Sequence, residues 1–506
     1  MAQTPQDGGD RPIAENKLND VEKAVRPNEV TETKGNILRT IRSLMIKAIS
    51  ASPVEERGVL PVSFEDRTAT NYSSFFSIWF CMNTNLLPIT FGMLGPSYGL
   101  SLRDCSLVIL FFCLLTAAIP AYLGTFGPKT GLRQMLQARY SYGRYLVSVP
   151  VILNLATLTG FCVVICVIGG QCLSAVTGGW LTPAVGIVIM GIVALFISFC
   201  GYGVLHQYER FAWVPALIAI VITVGCGGDH LKDQAPTEPA TAAGVLSFGM
   251  IIASYMIPYA CLASDFTTYL SPKVSSVKLF FYGYAGLLLP SVLLMVLGSA
   301  IAGAISSVPE WQEGYDATSV GGVLAAMLSR AGGFGKFVVV VLSLTLLGNI
   351  SATMYSITLN FQILIPQLVV VPRYVFSIVV TAIVIPVSVR AAVEFFASLE
   401  NFVALIGYWS AAFVAVLIVE HNVFKRRDYD AYDHDSWNAA SRLPWGVAAL
   451  AASALSFALV IPSMSQAWFK GPIAQKSGDL GFELAFVVTA ILYLPFRALE
   501  KRLTRR

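Results

Sequence analysis

The sequence predicts an all-α membrane protein of about twelve transmembrane helices, in which the first ten form a five-plus-five inverted repeat and the last two are accessory. Three observations support this fold. Hydrophobic residues make up 55% of the 506 residues and charged residues only 13%, about half of the charged share that is usual in a soluble chain. Apolar runs of about twenty residues, long enough to cross about 30 Å of hydrocarbon, recur along the chain. Two of these runs, the first and the sixth, are interrupted at matching places.

The chain begins with a polar segment, residues 1–70, which we interpret as a cytoplasmic N-terminal tail. Within it, residues 35–50 place apolar side chains at helical spacing, opposite Arg39, Arg42 and Lys47. This pattern predicts a short amphipathic helix. Such a helix either lies on the inner membrane surface or packs on the cytoplasmic face of the protein itself.

Twelve spans follow this tail. They are predicted at residues 73–94, 105–126, 146–174, 183–201, 211–227, 243–270, 278–305, 333–363, 373–389, 400–420, 443–463 and 479–497. The division that we predict is a first inverted repeat at 71–227, a second at 228–420, a cytoplasmic loop with two accessory helices at 421–498, and a C-terminal tail at 499–506.

The charges between the spans predict the orientation. Basic residues cluster after the second span, after the tenth and at the C-terminus: Lys129, Arg133, Arg139, Arg144, Lys425, Arg426, Arg427, Arg442, Lys501, Arg502, Arg505 and Arg506. The opposite loops, 228–241 and 306–317, are acidic or nearly neutral. Because basic residues near helix ends are retained on the cytoplasmic side, both termini are expected to face the cytoplasm.

The interruptions predict where a ligand would bind. The first span contains Asn83-Thr84-Asn85 followed by Pro88, and the sixth contains Ser254-Tyr255 followed by Pro258. Proline removes a backbone donor and clashes with the preceding turn, and transporters use such broken helices to present backbone groups to a substrate at mid-membrane. Breaks five helices apart indicate a site between the first and sixth helices, walled by the third and eighth. The alternative is that proline and glycine are simply frequent in membrane helices.

Other classes of protein find little support in the sequence. The four histidines, at 206, 230, 421 and 434, lie outside the predicted spans, and no nucleophile with its base or metal cluster is evident at membrane depth. Neither filter-like repeats nor charged rings suggest a channel, and the basic clusters are too short for a nucleic-acid surface. We expect a secondary transporter in the lipid bilayer, not an enzyme, and no cofactor.

Several long motifs occur in a fixed order. They read VEERGVLPVSFEDRT, GPKTGLRQMLQARYSYG, GYGVLHQYERFAWVP, LASDFTTYL, LENFVALIGYW and VEHNVF. With these motifs the sequence resembles the fungal purine-cytosine permeases of the nucleobase:cation symporter family 1. The resemblance implies a plasma-membrane protein that takes up purines, cytosine or related heterocycles, with protons in fungi and with sodium in some bacterial relatives.

The resemblance also implies site residues. In the family, an aromatic side chain from the third helix and one from the sixth enclose the ring of the substrate, and the matching positions are Phe161 and Tyr259. Stacking contributes on the order of 1 kcal/mol beyond burial. Amides that read the edge of the ring are expected from Asn83 and Asn349. Each of these side chains could instead be ordinary core packing or helix pairing.

Three positions depart from the pattern of the family. Ile165 replaces an asparagine one turn after the third-helix aromatic, Thr353 replaces the last asparagine of the eighth-helix motif, and Cys81 stands where a serine is common. An unpaired polar group on the substrate costs roughly 1–3 kcal/mol. Cytosine specificity is therefore in doubt, and a vitamin B6 carrier of the same family, binding a pyridine ring, is the alternative.

The coupling ion is expected to be a proton. Sodium sites in this fold use hydroxyls of the eighth helix, but Leu347 and Gly348 precede Asn349. The ionisable candidates are Glu209 and Asp265, with His206 and Glu400 behind them. Either of the first two could instead form a gate ion pair, Glu209 beside Arg210 and Asp265 near Lys273.

Overall fold

The computed structural model describes residues 58–199, 211–371 and 373–504, and this part of the chain is almost entirely helical. Twelve helices coincide with the predicted spans, and we number them α1 to α12 in chain order. They are α1 (half-helices Ser73–Asn83 and Leu86–Gly92), α2 (Leu102–Gly124), α3 (Ser148–Val176), α4 (Pro183–Phe199), α5 (Trp213–Gly227), α6 (Ala242–Met256), α7 (Ser276–Ile305), α8 (Gly332–Leu364), α9 (Arg373–Ala391), α10 (Phe395–Val419), α11 (Val447–Ser463) and α12 (Gly481–Thr504). The amphipathic helix predicted at 35–50 lies outside the described residues.

The outer surface of the bundle suits a hydrocarbon environment. Within the described part of the chain, eight segments are long and apolar enough to cross a membrane, and two shorter apolar helices, Pro183–Ile197 and Val447–Ser463, accompany them. Large apolar side chains such as Leu115 and Leu293 are 67% and 68% exposed. Exposed apolar surface on this scale is unfavourable in water, so the chain is a multi-pass membrane protein.

The packing of the first ten helices has the symmetry of an inverted repeat. Helix α1 packs against α7 just as α6 packs against α2, and α5 packs against α8 just as α10 packs against α3. When α1 to α5 are exchanged with α6 to α10, these pairs of packed helices therefore map onto one another. Such a match is expected for two copies of one unit. Helices α11 and α12 pack on each other and on α10, outside the ten. The predicted fold class is confirmed.

The two predicted breaks are present. Helix α1 ends at Asn83 and restarts at Leu86, with Thr84 at ψ 72° and Asn85 fully extended. The Asn85 side chain accepts a hydrogen bond from the Leu87 amide at 2.8 Å and so caps the second half-helix. A Cβ at Gly92 would come within 1.9 Å of the backbone of α7, so only glycine allows this half-helix to pack so closely.

The break in α6 has a different form. The α-helix ends at Met256, and the chain continues as the 3₁₀ turns Ile257–Cys261 and Ala263–Phe266. Pro258 lies at the start of the first turn, where it has no amide hydrogen to offer a continuing α-helix. Both broken segments are buried among other helices, which is where irregular backbone is tolerated in a membrane.

The connection between α7 and α8 differs from the prediction. The sequence suggests a loop at 306–317, but the structure contains a helix, Pro309–Met327, bent at Thr318 and Ser319. Its acidic residues are exposed, whereas Trp311 and Val323 are buried as the helix packs against α3. A two-stranded hairpin, Ser465–Gln466 with Phe469–Lys470, joins α11 to α12.

One end of the bundle carries the N-terminal segment and the last turns of α12, and we call it the terminal end. This end is closed. The Val62 amide donates to the Gly131 carbonyl at 2.9 Å, and Ala69 forms a β-bridge with Leu270. The Arg67 guanidinium donates to the Pro128 carbonyl at 2.8 Å. Residues 58–71 therefore hold together the connections that follow α2 and α6.

Candidate functional site

The two breaks lie next to the helices that were expected to wall the site. Both halves of α1 contact α8, and the 3₁₀ segment Ile257–Cys261 contacts α2, α3 and α10. The structure therefore surrounds the broken backbone with α3, α8 and α10. The first two of these helices were predicted, and α10 was not.

The carbonyl of Met82 is the best-defined backbone group at the α1 break. It accepts hydrogen bonds from the side-chain amides of Asn349, at 2.9 Å, and Asn85, at 2.7 Å. The Asn349 side-chain oxygen in turn accepts from the Thr353 hydroxyl at 3.2 Å. Asn349 thus joins α8 to the broken backbone of α1, as a buried amide in a membrane requires a partner.

Asn83 joins three helices. Its Nδ2 donates to the Trp79 carbonyl at 2.8 Å, and its Oδ1 accepts from the hydroxyls of Tyr255 on α6, at 2.6 Å, and Ser291 on α7, at 3.3 Å. The Tyr259 hydroxyl donates to the Tyr255 hydroxyl at 3.3 Å. Asn83 is fully buried, so in this conformation it supports a tyrosine pair and borders no open space.

Aromatic side chains surround the breaks. Phe161 on α3 and Tyr259 in the α6 break are each 8% exposed. The ring of Phe161 meets Phe402 of α10 edge-on, with centroids 5.8 Å apart, and the ring of Tyr259 meets Trp79 of α1 at 5.2 Å. Sequence reasoning missed Trp79 and Phe402. Helical spacing could have found the first, since Trp79 is one turn before Asn83 on the same face, and Phe402 lies within LENFVALIGYW.

The three departures from the family pattern are all buried. Cys81 is 4%, Ile165 0% and Thr353 4% exposed. Ile165 adds an apolar side chain one turn after Phe161. Of the three, only Thr353 has a described hydrogen bond to another predicted site residue, Asn349.

A cavity of about 390 Å³ lies at the end of the bundle opposite the terminal end. Its walls come from the end of α1, the end of α7, the helix Pro309–Met327 and the start of α10. Glu400 lines it, and a carboxylate oxygen of Glu400 accepts from the Tyr98 hydroxyl at 2.6 Å. This cavity follows the second half of α1, whereas residues 58–71 close the terminal end.

Asp265 lies at the other side of the breaks. Its carboxylate accepts from the backbone amide of Gln134, at 2.9 Å, and from the Ser356 hydroxyl of α8, at 3.4 Å, while its backbone carbonyl accepts from Arg133. Lys273, which the sequence suggested as a partner, is exposed, because the chain turns outward after the bridge at Leu270. Glu209, Arg210 and His206 lie outside the described residues.

Comparison with known proteins identifies the family. Residues 61–484 match the family described as permease for cytosine/purines, uracil, thiamine, allantoin. The purine-cytosine permease fcyB of Emericella nidulans is 33% identical over 88% of this chain and 89% of its own length. The vitamin B6 transporter TPN1 of Saccharomyces cerevisiae is 27% identical over 94% of this chain and 93% of its own.

A solved structure shares the fold. Mhp1, a nucleobase-cation-symport-1 family transporter in a closed conformation with bromovinylhydantoin bound, superimposes with a TM-score of 0.65 at 18% identity, over 88% of this chain and 96% of Mhp1. The broken helices, the inverted pairing of the helices and the sequence similarity therefore indicate the same fold and the same family. The chain belongs to the permease family for cytosine/purines, uracil, thiamine and allantoin, and it is a membrane transporter rather than an enzyme.

Proposed function

We propose that this protein is a secondary active transporter that takes up a nucleobase, purine or cytosine, or a closely related small heteroaromatic compound together with protons, by alternating access. The observation that carries the proposal is the pair Phe161 and Tyr259, which border the broken helices from α3 and α6 and retain a small exposed area. A flat ring between two aromatic side chains gains on the order of 1 kcal/mol per stacked pair beyond burial.

Asn349 is the proposed reader of the ring edge. Its amide can leave the Met82 carbonyl, which then remains hydrogen-bonded because Asn85 donates to the same oxygen. Exchange of a protein partner for a substrate partner therefore costs little. Asn83 holds the tyrosine pair in place, and Cys81, Ile165 and Thr353 complete the proposed pocket.

The proposed orientation places both termini in the cytoplasm and the protein in the plasma membrane. The terminal end carries the basic residues of the connections after α2 and α10, in keeping with the rule that basic residues stay inside. In this orientation the cavity at Glu400 opens outward, and residues 58–71 close the cytoplasmic side. The structure then corresponds to a state closed to the cytoplasm.

Proton coupling is proposed from the ionisable residues on the path. Asp265 lies between the connection after α2 and helix α8, two elements that must separate for the cytoplasmic side to open. Leu347 and Gly348 offer no hydroxyl to a sodium ion. Asp265 and Glu209 are therefore the residues that we assign to gating or proton coupling.

A second candidate is uptake of vitamin B6. It is favoured by Ile165 and Thr353, which replace amides by an apolar side chain and a hydroxyl, and by the similarity to a relative named as a vitamin B6 transporter. A pyridine ring that carries hydroxyl groups would suit an apolar wall with a hydroxyl partner better than cytosine.

The test is uptake of labelled adenine, hypoxanthine, cytosine and pyridoxine into cells that lack their own carriers, with the protein quantified at the surface. We expect saturable uptake of at least one compound, which an uncoupler abolishes and replacement of sodium leaves unchanged. Sodium-dependent uptake would refute the proton proposal. No uptake of any compound by a surface-expressed protein would refute the substrate class.

A further inference from the structure

A second cavity of about 390 Å³ lies at the terminal end, away from the breaks, where α10, the loop that follows it and α12 meet. Its volume falls within the range of about 300–1,000 Å³ that is usual for small-molecule sites. Charged side chains dominate its wall: Lys425, Arg426, Arg442, Arg497, Lys501, Glu420, Asp428 and Asp433.

Several of these charges are already neutralised within the protein. Arg497 binds Glu420 through two hydrogen bonds, at 3.1 and 3.2 Å, and Glu500 at 3.2 Å, and all three side chains are buried. Arg497 balances only one of its two carboxylates, so this buried group keeps one negative charge. Asp433 lies 3.8 Å from Arg442. The groups that remain are the cations Lys425, Arg426 and Lys501 and one carboxylate, which leaves the site with an excess of one positive charge.

That carboxylate, Asp428, is exposed, so the cavity has an excess of positive charge. The Lys425 ammonium lies over the rings of Tyr432 and Tyr140, at 4.5 and 5.2 Å from their centroids. Burial lowers the pKa of Lys425 to about 8. The Glu420 carboxylate opposes this shift, and repulsion from Arg497 and Lys501 adds to it. An anion in the cavity would relieve this repulsion.

The backbone at the mouth of the cavity is held in a costly conformation. Arg426 and Arg427 both have positive φ angles, 51° and 62°, a conformation that is strained at a non-glycine residue. Hydrogen bonds from Arg427 to the His421 carbonyl, at 2.8 Å, and to the Asn422 side chain, at 3.0 Å, hold this turn. The turn keeps Arg426 in the cavity wall.

Apolar side chains flank the cavity on its membrane side. Val423 is 51% and Trp445 58% exposed, and they are the chain neighbours of the lining residues Phe424 and Pro444. Exposed tryptophan near a helix end is typical of the headgroup region of a bilayer. The cavity therefore opens where the phosphate groups of lipids lie.

We propose that this cavity binds a phosphate group, which an anionic membrane lipid supplies as its headgroup. Lys425, Arg426 and Lys501 contact the phosphate, and the acyl chains lie along Val423 and Trp445. The cytoplasmic leaflet is rich in anionic lipids, so the proposed orientation fits this ligand. The binding site itself does not depend on which compound is transported.

The test uses the purified full-length protein and a fluorescent short-chain phosphatidylinositol 4-phosphate, with phosphatidylcholine of the same chain length for comparison. Arg426→Ala/Lys501→Ala is the test variant, because both side chains are exposed. Arg502→Ala is the matched control, since it removes the same charge from the exposed neighbour of Lys501 outside the cavity. Thermal unfolding without ligand verifies that all three proteins are equally folded.

We expect saturable binding of the phosphoinositide that is about 30-fold weaker in the double variant, since each lost hydrogen bond to the phosphate costs about fivefold in affinity, and less than twofold weaker in the control, whose side chain does not line the cavity. Competition by inorganic phosphate or inositol 1,4-bisphosphate at an equal affinity would retain the phosphate site but reassign its source to a soluble compound. Equal binding of phosphatidylcholine, or equal affinities in the double variant and the wild type, would overturn the proposal.

Discussion

Replacing Asn349 by alanine removes one of the two amides that donate to the Met82 carbonyl at the α1 break. The Asn85 amide remains at 2.7 Å, so the carbonyl is not left unpaired. The variant also loses the hydrogen bond that Thr353 donates to Asn349. Two hydrogen bonds at the average of about 0.6 kcal/mol found in membrane helices amount to about 1 kcal/mol. We therefore expect a loss of about 1 kcal/mol in stability and nearly normal surface expression.

Transport should suffer far more than stability in Asn349→Ala. A polar substrate edge without its partner costs roughly 1–3 kcal/mol, which corresponds to about a 5- to 150-fold higher KM. Uptake at low substrate concentration should then fall by the same factor. The assay is labelled uptake normalised to surface protein, with thermal unfolding of the purified variant measured in parallel.

Asn360→Ala is the matched control on the same helix. Asn360 is also buried, and it donates to the Ser356 carbonyl at 2.7 Å and accepts from Asn154 at 3.1 Å. It should lose similar stability but keep the wild-type KM. If Asn349→Ala also keeps the wild-type KM, its amide only joins helices and the reasoning about substrate recognition is wrong.

Three further predictions concern the aromatic pair, the gate and the buried ions. Tyr259→Ala should raise KM about fivefold or more, because it removes about 1 kcal/mol of stacking. Tyr259→Phe keeps the ring and should keep most of the affinity. Equal KM values for Tyr259→Ala and the wild type would exclude a stacking role. If Asp265 acts only in gating, Asp265→Asn should slow uptake but leave the pH dependence of uptake intact, since an amide oxygen still accepts from Gln134. Loss of the pH dependence of uptake would instead assign proton carriage to Asp265. Arg497→Met should destabilise the protein by about 3–5 kcal/mol, because it leaves the Glu420 carboxylate buried without its cation. The double variant Glu420→Leu/Arg497→Met removes that carboxylate as well and should unfold at a higher temperature than Arg497→Met alone.

Local properties of the chain account for the parts of the fold that were predicted correctly. A hydrophobic run of sufficient length crosses a bilayer whatever its neighbours are, and most of the observed helices therefore begin and end within a few residues of the predicted spans. The exceptions are α6, whose α-helix ends at Met256 in a span predicted to reach 270, and α12, which continues to Thr504 beyond a span predicted to end at 497. Proline acts on its own backbone, so Pro258 marked the α6 break before any contact was known. The helix Pro309–Met327 was missed because its first half is polar and acidic, and its buried residues gain their burial mainly from contact with the distant helix α3.

The site was harder to predict than the fold. Resemblance to a family indicated Phe161, Tyr259, Asn83 and Asn349, and the structure places all four beside the breaks. Their partners, however, come from distant parts of the chain. Sequence spacing could not show that Asn83 is enclosed by Tyr255 and Ser291, nor that Asp265 meets the connection after α2 and not Lys273.

The sequence by itself determined that this protein lies in a membrane, where its helices begin and end within a few residues, and which two helices are broken, because hydropathy and proline chemistry act over one or two turns. Only the tertiary structure decided which groups meet at those breaks. The Met82 carbonyl accepts a hydrogen bond from Asn349, which lies 267 residues away in the chain, and such contacts depend on the packing of whole helices, which no local pattern records.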